Sequence, residues 1–108
     1  MSRDPIRAGL ASGWKVTDAS TLERDLALEA DVAMIGTGAG GGVTAEILAA
    51  AGLDVVLIEE GPLKSSSDFR MLEAEAYPQL YQESAARKTR DKAINILQGR
   101  CVGGSTTV

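Results

Sequence analysis

The segment that most restricts what this chain can become is Gly36-Thr37-Gly38-Ala39-Gly40-Gly41, with glycines at its first, third and sixth places. It follows an uninterrupted apolar run, Val32-Ala33-Met34-Ile35, which suits a strand buried on both faces of a parallel sheet. Beyond it Val43, Ile47, Leu48 and Ala51 recur at helical spacing and predict an amphipathic helix. Ala45, Ala49 and Ala50 keep that helix thin enough for close packing, and Gly52 stands where it should end. Val55-Val56-Leu57-Ile58, between Asp54 and Glu59-Glu60-Gly61-Pro62, reads as a second strand. The expected fold class is therefore α/β, with a strand-helix-strand unit over residues 31–61. Two parallel strands leave a sheet open, so the rest of a longer polypeptide is expected to complete it.

Each glycine in the turn has a mechanical reason. Gly36 permits the tight turn, Gly38 keeps side-chain atoms away from an approaching diphosphate, and Gly41 lets the helix approach the strand. The helix start then offers free N–H groups and the positive end of its dipole to phosphate. Glu59 lies 23 positions after Gly36, at the end of the second strand, where a carboxylate accepts hydrogen bonds from ribose hydroxyls. An acid there disfavours the 2′-phosphate of NADP. Its neighbour Glu60 reads as a solvated strand end by two-residue periodicity. A ligand-free turn is the bland alternative, and the flanking strand, helix and acid favour a nucleotide. The motif alone leaves NAD and FAD open.

Residues 1–30 read as an N-terminal extension with one short strand at Trp14-Lys15-Val16. Residues 62–93 form a polar connecting segment with a helical tract from Asp68 to Ala76, which Pro78 terminates or bends. Ile94-Asn95-Ile96-Leu97 alternates like a strand and opens a second loop over residues 94–108. There Gly103-Gly104-Ser105-Thr106 offers N–H groups and hydroxyls to an anion, as a nest does, although Ser and Thr also serve as ordinary turn formers.

Composition narrows the chemistry. Eleven Lys+Arg against fifteen Asp+Glu give a net charge of −4, and Arg87, Lys88, Arg90 and Lys92 alternate with Asp91, so no nucleic acid is expected as partner. No apolar stretch approaches the roughly 20 residues that span a bilayer, and the start lacks the continuous apolar segment of a secretory signal. A cytoplasmic protein without a membrane segment is the expectation. With one cysteine and no histidine, neither a disulfide nor a metal site is expected. Cys101 reads as a packing residue, because no histidine is available to activate it as a nucleophile. Proton abstraction would need a carboxylate, Lys, Tyr or a base outside the chain.

The run from Asp31 to Pro62, followed by Gly99-Arg100-Cys101-Val102-Gly103-Gly104-Ser105-Thr106-Thr107-Val108, resembles the two N-terminal signatures of the glucose-methanol-choline oxidoreductases. The second signature is the more specific. The resemblance implies a Rossmann-like FAD-binding βαβ unit, incomplete here, in a two-lobed enzyme that oxidises the CH-OH group of an alcohol by hydride transfer to FAD. It places Gly36, Gly38, Ala39, Gly40 and Gly41 along the FAD diphosphate and Glu59 on the adenosine ribose. Arg100, Val102, Gly103, Gly104 and Ser105 fall along the diphosphate and the flavin end. It also makes residues 31–108 a truncated N-terminal part of the FAD domain, with no catalytic residue in this chain. The competing readings are a non-catalytic dinucleotide-binding module and an NAD-dependent dehydrogenase, the latter disfavoured by the second loop.

Some members of that family attach the flavin through a histidine four residues after the second glycine of the Gly-Gly pair. Here that position is Val108, an aliphatic side chain without a nucleophilic atom. FAD is therefore expected to be held non-covalently. Acid precipitation of the flavin-loaded protein should leave the yellow colour in the supernatant, and a yellow pellet would contradict this.

Overall fold

A computed structural model describes residues 3–108. Its centre is the expected unit: β1 (Val32–Ile35), α2 (Ala39–Ala50) and β2 (Val55–Ile58), preceded by α1 (Pro5–Ala11) and followed by α3 (Glu73–Leu80). The chain is thus a small α/β protein. The strands pair in parallel from Val32 opposite Val55 to Ile35 opposite Ile58. The pairing runs on into the turn, where the Gly36 N–H donates to the Ile58 carbonyl at 2.8 Å.

Helix α2 starts at Ala39, directly behind the glycine turn, and stops where Gly52 takes φ +92°. The Leu53 N–H donates to the Leu48 carbonyl and the Gly52 N–H to that of Ala49, the paired bonds of a Schellman ending. The packed face differs from the expected one. Gly41, Ala45 and Leu48 form the covered stripe, with Ala45 buried, whereas Val43 and Ile47 are 58% and 63% exposed. Positions i, i+4 and i+7 share one side of a helix, and small residues there allow the closest approach to a sheet. Apolar side chains therefore line two sides of α2. The strands also depart from burial on both faces: β1 alternates half-buried and exposed residues, and Ile35 is 85% exposed. Only one strand and one helix lie against it among the described residues.

Outside this unit, several sequence expectations shift. No strand forms at Trp14-Lys15-Val16. Instead the Trp14 indole lies over Gly9 of α1, so closely that a Cβ at Gly9 would overlap the ring. The helical tract expected from Asp68 begins only at Glu73, and Asp68 closes a separate short 3-10 turn, Ser66–Asp68. Pro78 sits inside α3 rather than ending it. It removes one i to i−4 bond, and the helix runs two residues further. Residues 94–97 form no regular strand. They fold back antiparallel on residues 81–89 through isolated bridges, Tyr81 with Gly99 and Lys88 with Asn95. This return delivers the second glycine loop to the first.

The N-terminal helix is held by carboxylates. Asp4 caps α1 by accepting from the Ile6 and Arg7 N–H groups, and it reaches the 3-10 turn through the Ser65 hydroxyl at 2.6 Å and the Ser67 N–H at 3.0 Å. Arg7 completes the clasp with Asp68 at 2.7 Å. Hydrogen bonds from Ser65 and Ser67 hold the Asp4 carboxyl well below its ordinary value of 3.8, and the Ser65 N–H followed by Arg7 lowers that of Asp68. Among the described residues, no helix is long and apolar enough to cross a membrane.

A carboxyl whose folded value is depressed contributes stability above its unfolded value and loses it as pH falls. The α1 clasp should therefore stay closed near neutrality and open on acidification below the ordinary carboxylate range, a change that Trp14 fluorescence reports. At pH 7, Asp4→Ala should accelerate amide exchange at Ile6, Arg7 and Ser67 severalfold, leaving β1 and β2 unaffected. Unchanged exchange at Ser67 would contradict the clasp.

Candidate functional site

Two glycine loops meet at the carboxyl ends of β1 and β2. In the first, Gly36 takes φ +90°, a left-handed conformation that side chains disfavour. Gly41 answers to packing: a Cβ there would overlap the Gly36 carbonyl oxygen, and Met34 lies just beyond at 3.8 Å. Gly38 answers to neither. Its φ of −70° and ψ of −167° suit any residue, and a Cβ there would meet no atom of the chain within 4 Å. A side chain at 38 would therefore have open space around it.

That space is faced by donors. Gly38 is the N-cap of α2 and has no side chain to cap it. The N–H groups of Ala39, Gly40 and Gly41 precede the first bond along the helix, from the Gly42 N–H to the Gly38 carbonyl at 2.9 Å. The site fits an anionic group such as a diphosphate on these grounds.

The second loop closes on the first from 66 residues away. Gly103 is left-handed at φ +93° and leads into a 3-10 turn, Gly104–Thr106. A Cβ on Gly104 would stand 2.9 Å from the Gly38 Cα, so the two loops touch backbone to backbone. The Gly103 N–H donates to the Thr37 hydroxyl oxygen at 3.1 Å. Val102 is half-buried and anchors the loop to β2's exit through its N–H and the Pro62 carbonyl, at 3.0 Å. The exposed Ser105 hydroxyl accepts from the Gly99 N–H at 2.9 Å and keeps its own proton free to donate.

Glu59 stands between the loops. Its Oε2 accepts from the Thr37 hydroxyl at 2.7 Å and the Thr37 N–H at 3.0 Å, and its Oε1 from the Gly61 N–H at 3.0 Å. Partial burial pushes this carboxyl up, and the bonds from Gly61 and Thr37 outweigh it, so the group is held below its ordinary value. Glu60 is exposed, and it accepts from Gln82 at 2.6 Å and pairs with Arg100 at 3.4 Å. Arg100 thus lies at the rim. Cys101 is 1% exposed, and burial pushes its thiol pKa up, the opposite of an activated nucleophile.

The structure therefore brings Gly36, Gly38, Ala39, Gly40, Gly41, Glu59, Gly103 and Gly104 together at the ends of β1 and β2, with Val102 and Ser105 in the same second loop and Arg100 paired with the exposed Glu60. Open concavities over Thr89-Arg90-Asp91 and beside Trp14 lie away from these loops. Thr37 is the residue that sequence reasoning passed over. A hydroxyl placed between two motif glycines at a strand end was the available signal, and its partners became visible only with residue 103 in place. Among the described residues, no group of three metal-ligating side chains occurs.

Strand, glycine turn, helix, acidic strand end and a second glycine loop define the class of site: an α/β unit built around the start of one helix. The chain is 38% identical over 97 residues to a long-chain-alcohol oxidase of Arabidopsis thaliana, covering 89% of this chain and 12% of that protein. It is 38% identical over 89 residues to an uncharacterized GMC-type oxidoreductase of Sinorhizobium fredii, covering 82% of this chain and 18% of the relative. With an uncharacterized GMC-type oxidoreductase of Mycobacterium tuberculosis the identity is 41% over 81 residues, 73% of this chain and 13% of the other. No family model matches the chain, and no solved structure does. The chain belongs to the GMC-type oxidoreductases, the glucose-methanol-choline family. It spans less than a fifth of the length of these relatives.

The two kinds of glycine separate by stability. Gly41→Ala should cost about 1 to 3 kcal/mol, the scale of an overpacked contact. Gly40→Ala, with open space around its Cβ, should be neutral or slightly stabilising. Urea unfolding of the purified protein measures both, and equal effects would contradict the packing argument.

Proposed function

We propose that residues 31–108 are the N-terminal part of an FAD-binding domain of Rossmann-like type, belonging to an oxidoreductase that acts on the CH-OH group of alcohols. What supports this is Gly38: at the start of α2, beside a second glycine loop and in a chain similar to an alcohol oxidase, it is required by neither backbone conformation nor packing.

In this reading Gly36, Gly38, Ala39, Gly40 and Gly41 hold the FAD diphosphate through backbone N–H groups and the dipole of α2. Glu59 takes the adenosine ribose. Its Oε2 is already occupied twice by Thr37, and Oε1 keeps a lone pair beyond its bond from Gly61 for an incoming hydroxyl. Arg100, Val102, Gly103, Gly104 and Ser105 line the diphosphate and the flavin end, Ser105 with a hydroxyl proton to donate. Bound there, the flavin would supply the acceptor for a hydride from the carbinol carbon. In this reading the base that takes the alcohol's proton lies outside these 108 residues, which contain no histidine. Val108 leaves the attachment non-covalent.

The test is flavin content after gel filtration. The unsubstituted protein, completed by the rest of its polypeptide, should carry FAD near one per chain, and Gly38→Val should emerge colourless because its branched side chain fills the diphosphate's space. A Gly38→Val protein that retains full flavin would overturn the assignment.

A further inference from the structure

Thr37 makes three hydrogen bonds that join parts of the chain otherwise far apart. Its N–H and hydroxyl both donate to Glu59 Oε2, at 3.0 and 2.7 Å, and its hydroxyl oxygen accepts from the Gly103 N–H at 3.1 Å. One hydroxyl thus serves both of its hydrogen-bonding capacities at once, between β1's turn, β2's end and the second glycine loop. The side chain is half-buried, and it sits between left-handed Gly36 and the N-cap Gly38.

We propose that Thr37 is the positioning residue of the cofactor site: its hydroxyl latches the second glycine loop to the first and turns Glu59 so that only Oε1 is left to meet the ribose. This rests on the FAD reading above. The latch acts on both ends of the opening. Through Glu59 it decides which carboxylate oxygen is offered: with three bonds already accepted that carboxylate has room for one more donor, and its charge repels a second anion. Through Gly103 it holds the Gly103-Gly104 backbone against Gly38, where Gly104 comes within 2.9 Å as measured from a notional Cβ. A side chain of the same shape without the oxygen leaves the Gly103 N–H without its acceptor and Glu59 with two donors, the Thr37 and Gly61 N–H groups, in place of three.

Thr37→Val keeps the shape and removes the oxygen, Thr37→Ser keeps the oxygen, and Glu59→Gln removes the charge the latch orients. Titrating the apoprotein of the full-length enzyme with FAD should show Thr37→Ser binding like the unsubstituted protein and Thr37→Val about tenfold or more weaker. The Thr37→Val and Glu59→Gln losses should fall short of adding in the double variant, because one acts through the other. In the apoprotein, amide exchange at Gly103 should rise in Thr37→Val and stay low in Thr37→Ser, a readout that needs no cofactor. Thr37→Ala replaces Thr37→Val in every arm if the valine protein does not fold. Unaltered FAD affinity in Thr37→Val, additive losses, or unchanged Gly103 exchange would each overturn the latch while leaving the FAD reading intact. Failure of the unsubstituted protein to bind FAD would instead sink that reading, and the latch's ligand role with it.

Discussion

The contact on which the rest of the molecule depends is the seating of Gly41 against the Gly36 carbonyl. With no side chain at 41, the first turn of α2 lies directly on the end of β1, and with Gly36 left-handed the chain reverses into the helix within two residues. The helix start is thereby placed over the strand ends with its first N–H groups unclaimed. Everything added later is built against that arrangement: Glu59 reaches across from β2 to Thr37, and Gly104 comes down on Gly38. A single methyl at 41 would lift the helix and spoil all three relations together.

Much of this was legible in the residues, for identifiable reasons. The βαβ unit showed itself because uninterrupted apolar runs and a glycine turn are local signals, and the Schellman ending at Gly52 is a local requirement of the backbone. The reasons for glycine at 36 and 41 also followed from the spacing, and the geometry at both positions agrees with them. Which side of α2 packs followed only in part: Gly41 and Ala45 were read as close-approach residues, but of the apolar set Val43, Ile47, Leu48 and Ala51 only Leu48 is covered, since a helix resting on a sheet is limited by side-chain size before it is limited by polarity.

The parts that escaped sequence reading depend on distant partners. Asp4 and Asp68 are unremarkable acids until the turn at 65–68 is brought against α1. Trp14 looked like a strand residue because aromatic and β-branched neighbours favour strands, yet its ring found the bare backbone of Gly9. Residues 94–97 alternate like a strand and lack a partner with matching register, so only isolated bridges form. Thr37 belongs to the same group. Its chemistry is ordinary, and its importance comes from a residue 66 positions away.

That separation also orders the assembly of the molecule. Pairing Val32 with Val55 closes a loop of 23 residues, whereas the bond from Gly103 to Thr37 closes one of 66, which costs about 1 kcal/mol more in chain entropy and takes longer to find. Chain entropy therefore favours closing the first loop before the second, and detaching the second gives that entropy back. Any ligand that touched both loops would bind the closed form alone, and would raise the protein's resistance to unfolding with the logarithm of its concentration.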